Sequence, residues 1–322
     1  MDEQGKSGRT QGRSPAPRLR PALLAATAAI LAGLYIFGGP KPRVVPTHPY
    51  AETSETPARE IVPGVTFREV HLAGGHDART LWIYMPKRMP AGRMPCVFIA
   101  PSGTTGFYGK RLFENDRKEH VPYVKRGFAV VAYSIDGAAD DFYAEQIQNG
   151  IVQFRSAHCG VDNSQAAIDY ALQHIPQIDL TRLYTAGHSS GGTMALMAAE
   201  HDTRIAGCIA YAPACDIARR IDPGTLKELS NGVVGLPEFL VAASPTKYTR
   251  SLTSPVFLFH ADDDAQVTTS DVECFMTKLK QTNGTVTYVR VVTGGHYSSM
   301  LDVGIPRGIV WLQALDRRVQ RG

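Results

Sequence analysis

The 322-residue chain has ordinary apolar content, with 43% hydrophobic residues, and is long enough to bury one large core as a single domain. Its formal charge of +4 is concentrated in residues 1–43, which hold seven Lys or Arg against two acidic residues. The remainder is near neutral, which excludes a basic nucleic-acid-binding face. Five cysteines without a Cys-x-x-Cys pair exclude a disulfide-dense scaffold and a zinc site of that kind.

The N-terminal segment predicts a membrane anchor. Residues 21–39 are uncharged, and at about 1.5 Å per residue a helix of this length spans a bilayer core of roughly 30 Å. Five Lys or Arg precede it, so residues 1–20 are predicted to be a basic cytoplasmic tail and the rest of the chain to lie outside the cytoplasm, in the periplasm or extracellular space. Phe37 and Pro40 disfavour a cleavage site, so a signal anchor is preferred to secretion after signal cleavage.

Residues 40–60 contain five prolines among polar residues and predict a tether between membrane and domain. Strand patterns begin at Val65, and the predicted catalytic domain covers 61–322. Strands at Val65–Leu72 and 81–85 predict an edge hairpin around the turn-like residues 74–77.

The middle of the chain alternates strands and helices. Continuous apolar runs at 96–100 and 128–133 indicate strands that are buried on both faces of a mostly parallel sheet. A helix is predicted over 162–175, with Asp162 as its capping residue.

The C-terminal half continues this alternation. Residues 214–254 lack periodicity and are interpreted as a small insertion over the active-site end of the sheet, before the strand that carries the acid. The predicted fold is α/β, a mostly parallel doubly wound sheet with helices on both faces. The remaining predicted strands lie at 182–185, 205–211, 256–260 and 286–292, and the remaining helices at 193–200, 270–281 and 305–315.

The central motif is Gly187-His188-Ser189-Ser190-Gly191, between a predicted strand and a predicted helix. Gly-x-Ser-x-Gly in this context is the nucleophile elbow, in which a sharp turn exposes the serine hydroxyl above the sheet. Ser189 is therefore the candidate nucleophile.

A serine hydroxyl needs a histidine to accept its proton and a carboxylate to orient that histidine, and in this fold the chain order is serine, acid, histidine. His296, after two glycines at the end of the last predicted strand, is the candidate base. The acid is one of Asp262, Asp263 and Asp264, which follow the preceding strand, and Asp216 is an alternative.

The negative oxygen of a tetrahedral intermediate requires hydrogen-bond donors that are already in place. The backbone N–H of Ser190, at a helix N-terminus, is the first candidate. The second is expected in the small-residue loop after the strand ending near Ala100, at Thr104 or alternatively Gly103.

Three motifs together carry a family resemblance: Gly-His-Ser-Ser-Gly-Gly at 187–192, the stretch 254–267, and Gly-Gly-His at 294–296. They resemble the α/β-hydrolase superfamily, within it the prolyl oligopeptidase-like and dienelactone hydrolase-like branch. The resemblance implies that Asp264 is the acid, since it matches the family's catalytic aspartate. Only about 60 residues precede the domain, with no propeller to select peptides, so an esterase is expected in preference to a peptidase.

The sequence thus predicts a serine hydrolase, carboxylesterase-like, that forms an acyl-enzyme and needs neither a metal nor an organic cofactor. Its expected partners are a small ester or short peptide substrate and the membrane, and no nucleic acid. The alternatives are a serine peptidase or amidase of the prolyl oligopeptidase-like type and a non-catalytic binding module with this fold.

Overall fold

A ten-stranded mixed sheet runs through the part of the chain that the structure describes. The structure, a computed structural model, describes residues 52–73, 79–104, 106, 108–139, 144–232 and 234–320. The predicted cytoplasmic tail, the anchor, the first part of the tether and the turn at 74–77 lie outside these residues. No helix within them combines the length and the apolar character that a bilayer span requires.

The sheet has an antiparallel half and a parallel half. The strands are β1 (Glu52–Glu55), β2 (Arg59–Val62), β3 (Val65–Leu72), β4 (Arg79–Pro86), β5 (Met94–Ile99), β6 (Ala129–Tyr133), β7 (Ile178–His188), β8 (Ile205–Tyr211), β9 (Val256–Ala261) and β10 (Val286–Val291). Their order in the sheet is β1-β3-β4-β6-β5-β7-β8-β9-β10, with β2 also paired to β3. The pairs from β1 to the β4–β6 pair are antiparallel, and the pairs from β6–β5 to β9–β10 are parallel.

Helices cover both faces of this sheet, as the doubly wound prediction requires. Helices α1 and α8 pack on one face, and α3, α4, α6 and α7 on the other. Alternate residues of β5 accordingly enter two different cores, Phe98 one and Val97 the other. The helices are α1 (Arg117–Val124), α2 (Ala144–Ser156), α3 (Val161–His174), α4 (Ser190–His201), α5 (Pro223–Gly232), α6 (Leu236–Ala242), α7 (Thr269–Leu279) and α8 (Ile305–Val319).

The structure corrects three local predictions. Strand β1 and the start of β2 fall within the stretch predicted as a tether, and both strands pair with β3, so the domain begins upstream of residue 61. Asp162 does not cap α3: the cap residue is Gly160, and Asp162 contacts the His158 ring at 3.0 Å. The aperiodic insertion at 214–254 contains α5 and α6.

The final helix is fixed to the strand that leads to the elbow. Arg182 of β7 donates to both carboxylate oxygens of Asp316 of α8 at 2.8 and 2.6 Å, and the Tyr184 hydroxyl donates to the same carboxylate at 2.9 Å. Both charged side chains are only 10% exposed. Since a buried pair loses most when one partner is removed, this contact links helix and strand strongly.

We expect Asp316→Ala to lower the free energy of unfolding by about 3 kcal/mol, because it removes the two short contacts of the buried Arg182 guanidinium and leaves only the more distant carboxylate of Asp179, at 3.6 Å. The matched control is Arg290→Ala, which removes a pair with Asp262 whose side chains are 46% and 36% exposed; its expected cost is much smaller, because solvent screens an exposed pair. Urea unfolding measures the free energy of unfolding of both variants. Equal losses would contradict a strong stabilising contact between Arg182 and Asp316.

Candidate active site

Ser189 occupies the sharp turn between β7 and α4. Its backbone has φ 54° and ψ −124°, outside the conformations that non-glycine residues favour. Its N–H donates to the carbonyl oxygen of Tyr211 at the end of β8, at 2.9 Å, which holds the turn against the neighbouring strand. The residue is half-buried. The strained turn thus presents the serine at the carboxyl edge of the sheet.

The two flanking glycines are required by close approach of the backbone. A Cβ on Gly187 would lie 2.2 Å from the carbonyl oxygen of Gly191, and one on Gly191 would lie 2.5 Å from that of Ala100. These spacings are far inside van der Waals contact, so larger residues would force β7, α4 and β5 apart. The motif is therefore needed for packing as well as for the turn.

The structure brings His296 and Asp264 together. His296 Nδ1 and Asp264 Oδ2 are 2.7 Å apart, and the two side chains are only 7% and 1% exposed. Burial by itself would raise the pKa of Asp264, but the hydrogen bonds from His296 and from the backbone of Val267 and Gln266 outweigh it and lower the pKa below its usual 3.8. The carboxylate is therefore charged at neutral pH and fixes the proton of His296 on Nδ1.

The other two consecutive aspartates have different partners. Asp262 accepts a hydrogen bond from Arg290 Nε at 2.7 Å. Asp263 accepts from the backbone N–H groups of Gly294 and Gly295 at 3.1 and 2.8 Å. Asp263 therefore supports the turn that carries His296 but contacts the backbone and not the ring.

Asp216, the alternative acid, lies in the turn after β8. Its Oδ1 accepts from the backbone N–H of Arg219 at 3.3 Å. Of the four aspartates considered from the sequence, Asp264 is the one that contacts the His296 ring.

Two further histidines belong to this cluster and were not assigned a role from sequence. His260 is fully buried, and its Nε2 lies 2.8 Å from the Val267 carbonyl oxygen and 3.2 Å from Asp264 Oδ2. Burial lowers its pKa, so the ring is neutral, and its Nε2–H donates to the Val267 carbonyl oxygen beside the Asp264 carboxylate. His188 Nε2 lies 2.8 Å from the backbone oxygen of His296. Residue order alone gave no signal for these contacts, which depend on the loops.

The predicted oxyanion donors lie at the start of α4 and in the loop after β5. Ser190 is the first residue of α4, where backbone N–H groups have no partner within the helix. The Thr104 N–H donates to Ser190 Oγ at 3.1 Å. Gly103, the second choice, is exposed, with φ +95°. The loop is thus tied to the elbow helix through the Ser190 side chain.

A narrow cavity opens beside Ser190 and Thr104. Its volume is about 420 Å³, which includes the space open to solvent. Apolar side chains dominate its wall, including Met194 of the elbow helix, and the 214–254 insertion contributes Ile217 and Ala243. The insertion therefore does border the candidate site.

Within the described ranges, no group of three His, Cys, Asp or Glu side chains is arranged to hold a metal ion. The cysteines are unpaired: Cys274 is exposed, and the other four are buried in the domain.

Comparisons with known proteins agree with this architecture. The sequence model of the prolyl oligopeptidase family matches residues 115–306. No curated protein matches the chain by sequence.

Solved structures with a similar fold include peptidases and esterases. An acylaminoacyl peptidase from Pyrococcus horikoshii is 18% identical, with a TM-score of 0.62 over 80% of this chain and 42% of the peptidase. An acetyl xylan esterase from Paenibacillus sp. R4 is 16% identical, with a TM-score of 0.57 over 81% of this chain and 88% of the esterase. An esterase from Pyrococcus furiosus is 17% identical, with a TM-score of 0.54 over 79% and 92% of the two chains.

The chain spans about two fifths of the length of the acylaminoacyl peptidases it matches. At these identities the structural likeness establishes the fold, while the match of the family model over more than half of the chain establishes the family. The predicted superfamily and fold are confirmed. The chain belongs to the prolyl oligopeptidase family, which is a family of serine hydrolases, and has the α/β-hydrolase fold.

Proposed function

We propose that the protein is a carboxylesterase in which Ser189 is the nucleophile, His296 the base and Asp264 the group that orients the base. The observation that carries this proposal is the buried 2.7 Å contact between Asp264 and His296 at the same sheet edge as the Ser189 turn. Because the charged Asp264 carboxylate accepts a hydrogen bond from His296 Nδ1, Nε2 of the same ring is free to accept a proton. This is the arrangement that activates a serine.

In the proposed reaction, Ser189 Oγ attacks the carbonyl carbon of the ester while His296 Nε2 takes the hydroxyl proton. His296 then gives this proton to the leaving alkoxide as the tetrahedral intermediate collapses to an acyl-enzyme. A water molecule, deprotonated by His296, attacks the acyl carbon, and the carboxylic acid is released as Ser189 recovers its proton. Asp264 stabilises the imidazolium that forms in both halves.

We assign the oxyanion contacts to the backbone N–H groups of Ser190 and Thr104. The position of Ser190 at the N-terminus of a twelve-residue helix supports the first, because the helix dipole favours negative charge there. Thr104 donates to Ser190 Oγ in the free protein. Rotation of that hydroxyl on substrate binding would release the N–H to the developing oxyanion.

The cavity favours an ester with a short acyl chain. The cavity beside Ser190 is narrow and mainly apolar, with Met194 of α4 and Ile217 of the insertion among its lining side chains, which suits a small acyl group. A large side chain of a peptide substrate would have to displace Met194 or Ile217, which are 7% and 2% exposed. A peptidase or amidase using the same residues is the second candidate, favoured by the family to which the chain belongs.

The first test is labelling of the full chain with a fluorophosphonate. We expect Ser189→Ala to abolish labelling and Asp264→Asn to slow it by about a thousandfold, because the base then holds the wrong tautomer. Asp262→Asn, a matched control that touches an exposed pair, should stay within about twofold. A wild-type protein that does not label would instead favour the non-catalytic binding module.

The second test compares acyl lengths. We expect the wild type to hydrolyse p-nitrophenyl acetate with a higher kcat/KM than the butanoate or hexanoate, and to cleave peptide anilides more slowly than the acetate. Met194→Ala should raise the hexanoate-to-acetate ratio by about tenfold, since a few methylenes are worth this much in an apolar pocket. Met89→Ala, at a residue 47% exposed, is the matched control. An unchanged ratio in Met194→Ala would show that the acyl group does not bind beside Met194.

For localisation, we propose that residues 21–39 anchor the protein and that the catalytic domain lies on the non-cytoplasmic side. The support is the uncharged stretch and the five preceding basic residues. The full chain should remain in the membrane fraction after an alkaline wash. A soluble product whose N-terminus begins near residue 40 would instead identify a cleaved signal peptide.

A further inference from the structure

The base is held through its backbone as well as through its ring. His188 Nε2 lies 2.8 Å from the carbonyl oxygen of His296, and the two ring centres are 4.5 Å apart. A carbonyl oxygen can only accept, so Nε2 must carry the proton and donate it. Because His188 directly precedes Ser189, this hydrogen bond joins the nucleophile turn to the loop that carries the base.

Because Nε2 of His188 carries the proton, the other ring nitrogen, Nδ1, can only accept a hydrogen bond in the neutral ring. His188 is only 2% exposed, and its burial, with the neighbouring His296, lowers its pKa to about 4. The ring is therefore neutral at pH 7, and Nδ1 must be an acceptor. Among the described residues Nδ1 has no hydrogen-bond partner although it is buried, and a buried acceptor without a donor costs stability.

Glu119 is the group that can supply the donor. It lies on α1 and is 6% exposed, and its Oε1 is 4.0 Å from His188 Nδ1. Burial, together with the negative charge of Asp116, raises the pKa of Glu119 to about 8. The carboxyl group is thus protonated at neutral pH. A rotation of the Glu119 side chain that shortens this separation by about 1 Å would bring its hydroxyl within hydrogen-bond distance of Nδ1.

We propose that Glu119 and His188 are positioning residues for the catalytic base: the Glu119 carboxyl donates to His188 Nδ1, which keeps the proton on Nε2, and Nε2–H holds the backbone of His296. Neither residue contacts the reacting atoms in this scheme. The inference rests on the proposed roles of Ser189 and His296.

This arrangement makes the position of the loop that carries His296 sensitive to alkaline pH. When Glu119 loses its proton, the carboxylate favours the His188 tautomer with hydrogen on Nδ1, so Nε2 can no longer donate to His296. Activation of Ser189 should then fall as pH rises through about 8. The titratable groups around Glu119 and His188 are Asp116, Tyr123, Tyr211, Tyr297, His260, Asp264 and His296.

Substitution by glutamine tests the role of the hydrogen-bond donor separately from the role of the charge. Glu119→Gln keeps an N–H donor at every pH, whereas Glu119→Met has similar length and no donor. His188→Gln keeps an N–H near the position of Nε2, whereas His188→Phe keeps a ring and removes the donor. Glu200→Gln is the matched control, because Glu200 is another buried glutamate whose pKa burial raises, and it lies at the far end of α4.

The experiment measures the rate of fluorophosphonate labelling of the full chain from pH 6 to 10, with thermal unfolding of each variant as the folding control. We expect the wild-type rate to fall above pH 8, Glu119→Gln to lose this fall, and Glu200→Gln to retain it. His188→Phe and Glu119→Met should label about tenfold more slowly at pH 7, with partial rescue in His188→Gln.

The outcomes separate this inference from the proposed function. A wild type that labels, with His188→Phe labelling at the same rate or Glu119→Gln showing the same alkaline fall, overturns the positioning role and leaves the esterase proposal standing. A wild type that does not label at any pH overturns the proposed function and the positioning role with it.

Discussion

The parallel register of the four strands β7 to β10 is the constraint on which the candidate site depends. His188 pairs with Tyr211, Tyr211 with Phe259, and Ala261 with Val291, so the carboxyl ends of these strands lie side by side. Each strand end is followed by a loop that cannot be buried in the core, and these loops carry the polar residues. Residues more than 100 positions apart in the sequence are thereby brought to one edge of the sheet.

Around His296, contacts from two segments, the loop after β9 and the end of β7, provide the hydrogen-bond partners that water would otherwise supply. Asp264 fixes the ring, Asp263 holds the two glycines before it, and His188 holds its carbonyl group. A buried polar group without partners is costly, so each contact also stabilises the fold. The site is thus organised in the free protein, which reduces the reorganisation that the reaction would require.

Much of the parallel half of the sheet could be predicted from sequence, because strands buried on both faces are continuous apolar runs with turn residues at their ends. The antiparallel edge of the sheet was harder to predict. Glu52–Glu55 and Arg59–Val62 have a polar, proline-flanked composition, and they become strands because β3 offers them free backbone groups. Helices α5 and α6 were missed since their sequences carry glycine and proline, and tertiary contacts around Phe239 compensate.

The α/β alternation, the elbow at Ser189 and the order of candidate residues along the chain could be predicted from the sequence alone, because these follow from local patterns of side-chain size and hydrophobicity. The family resemblance favoured Asp264 among the three adjacent aspartates, and the tertiary structure shows that Asp264 is the one that contacts His296. The structure also revealed His188, His260 and Glu119 around this candidate base. Consecutive loop residues point in different directions, and a distance between distant loops depends on strand register and packing. Local sequence patterns therefore do not reveal the direction of a loop side chain or the distance between two loops.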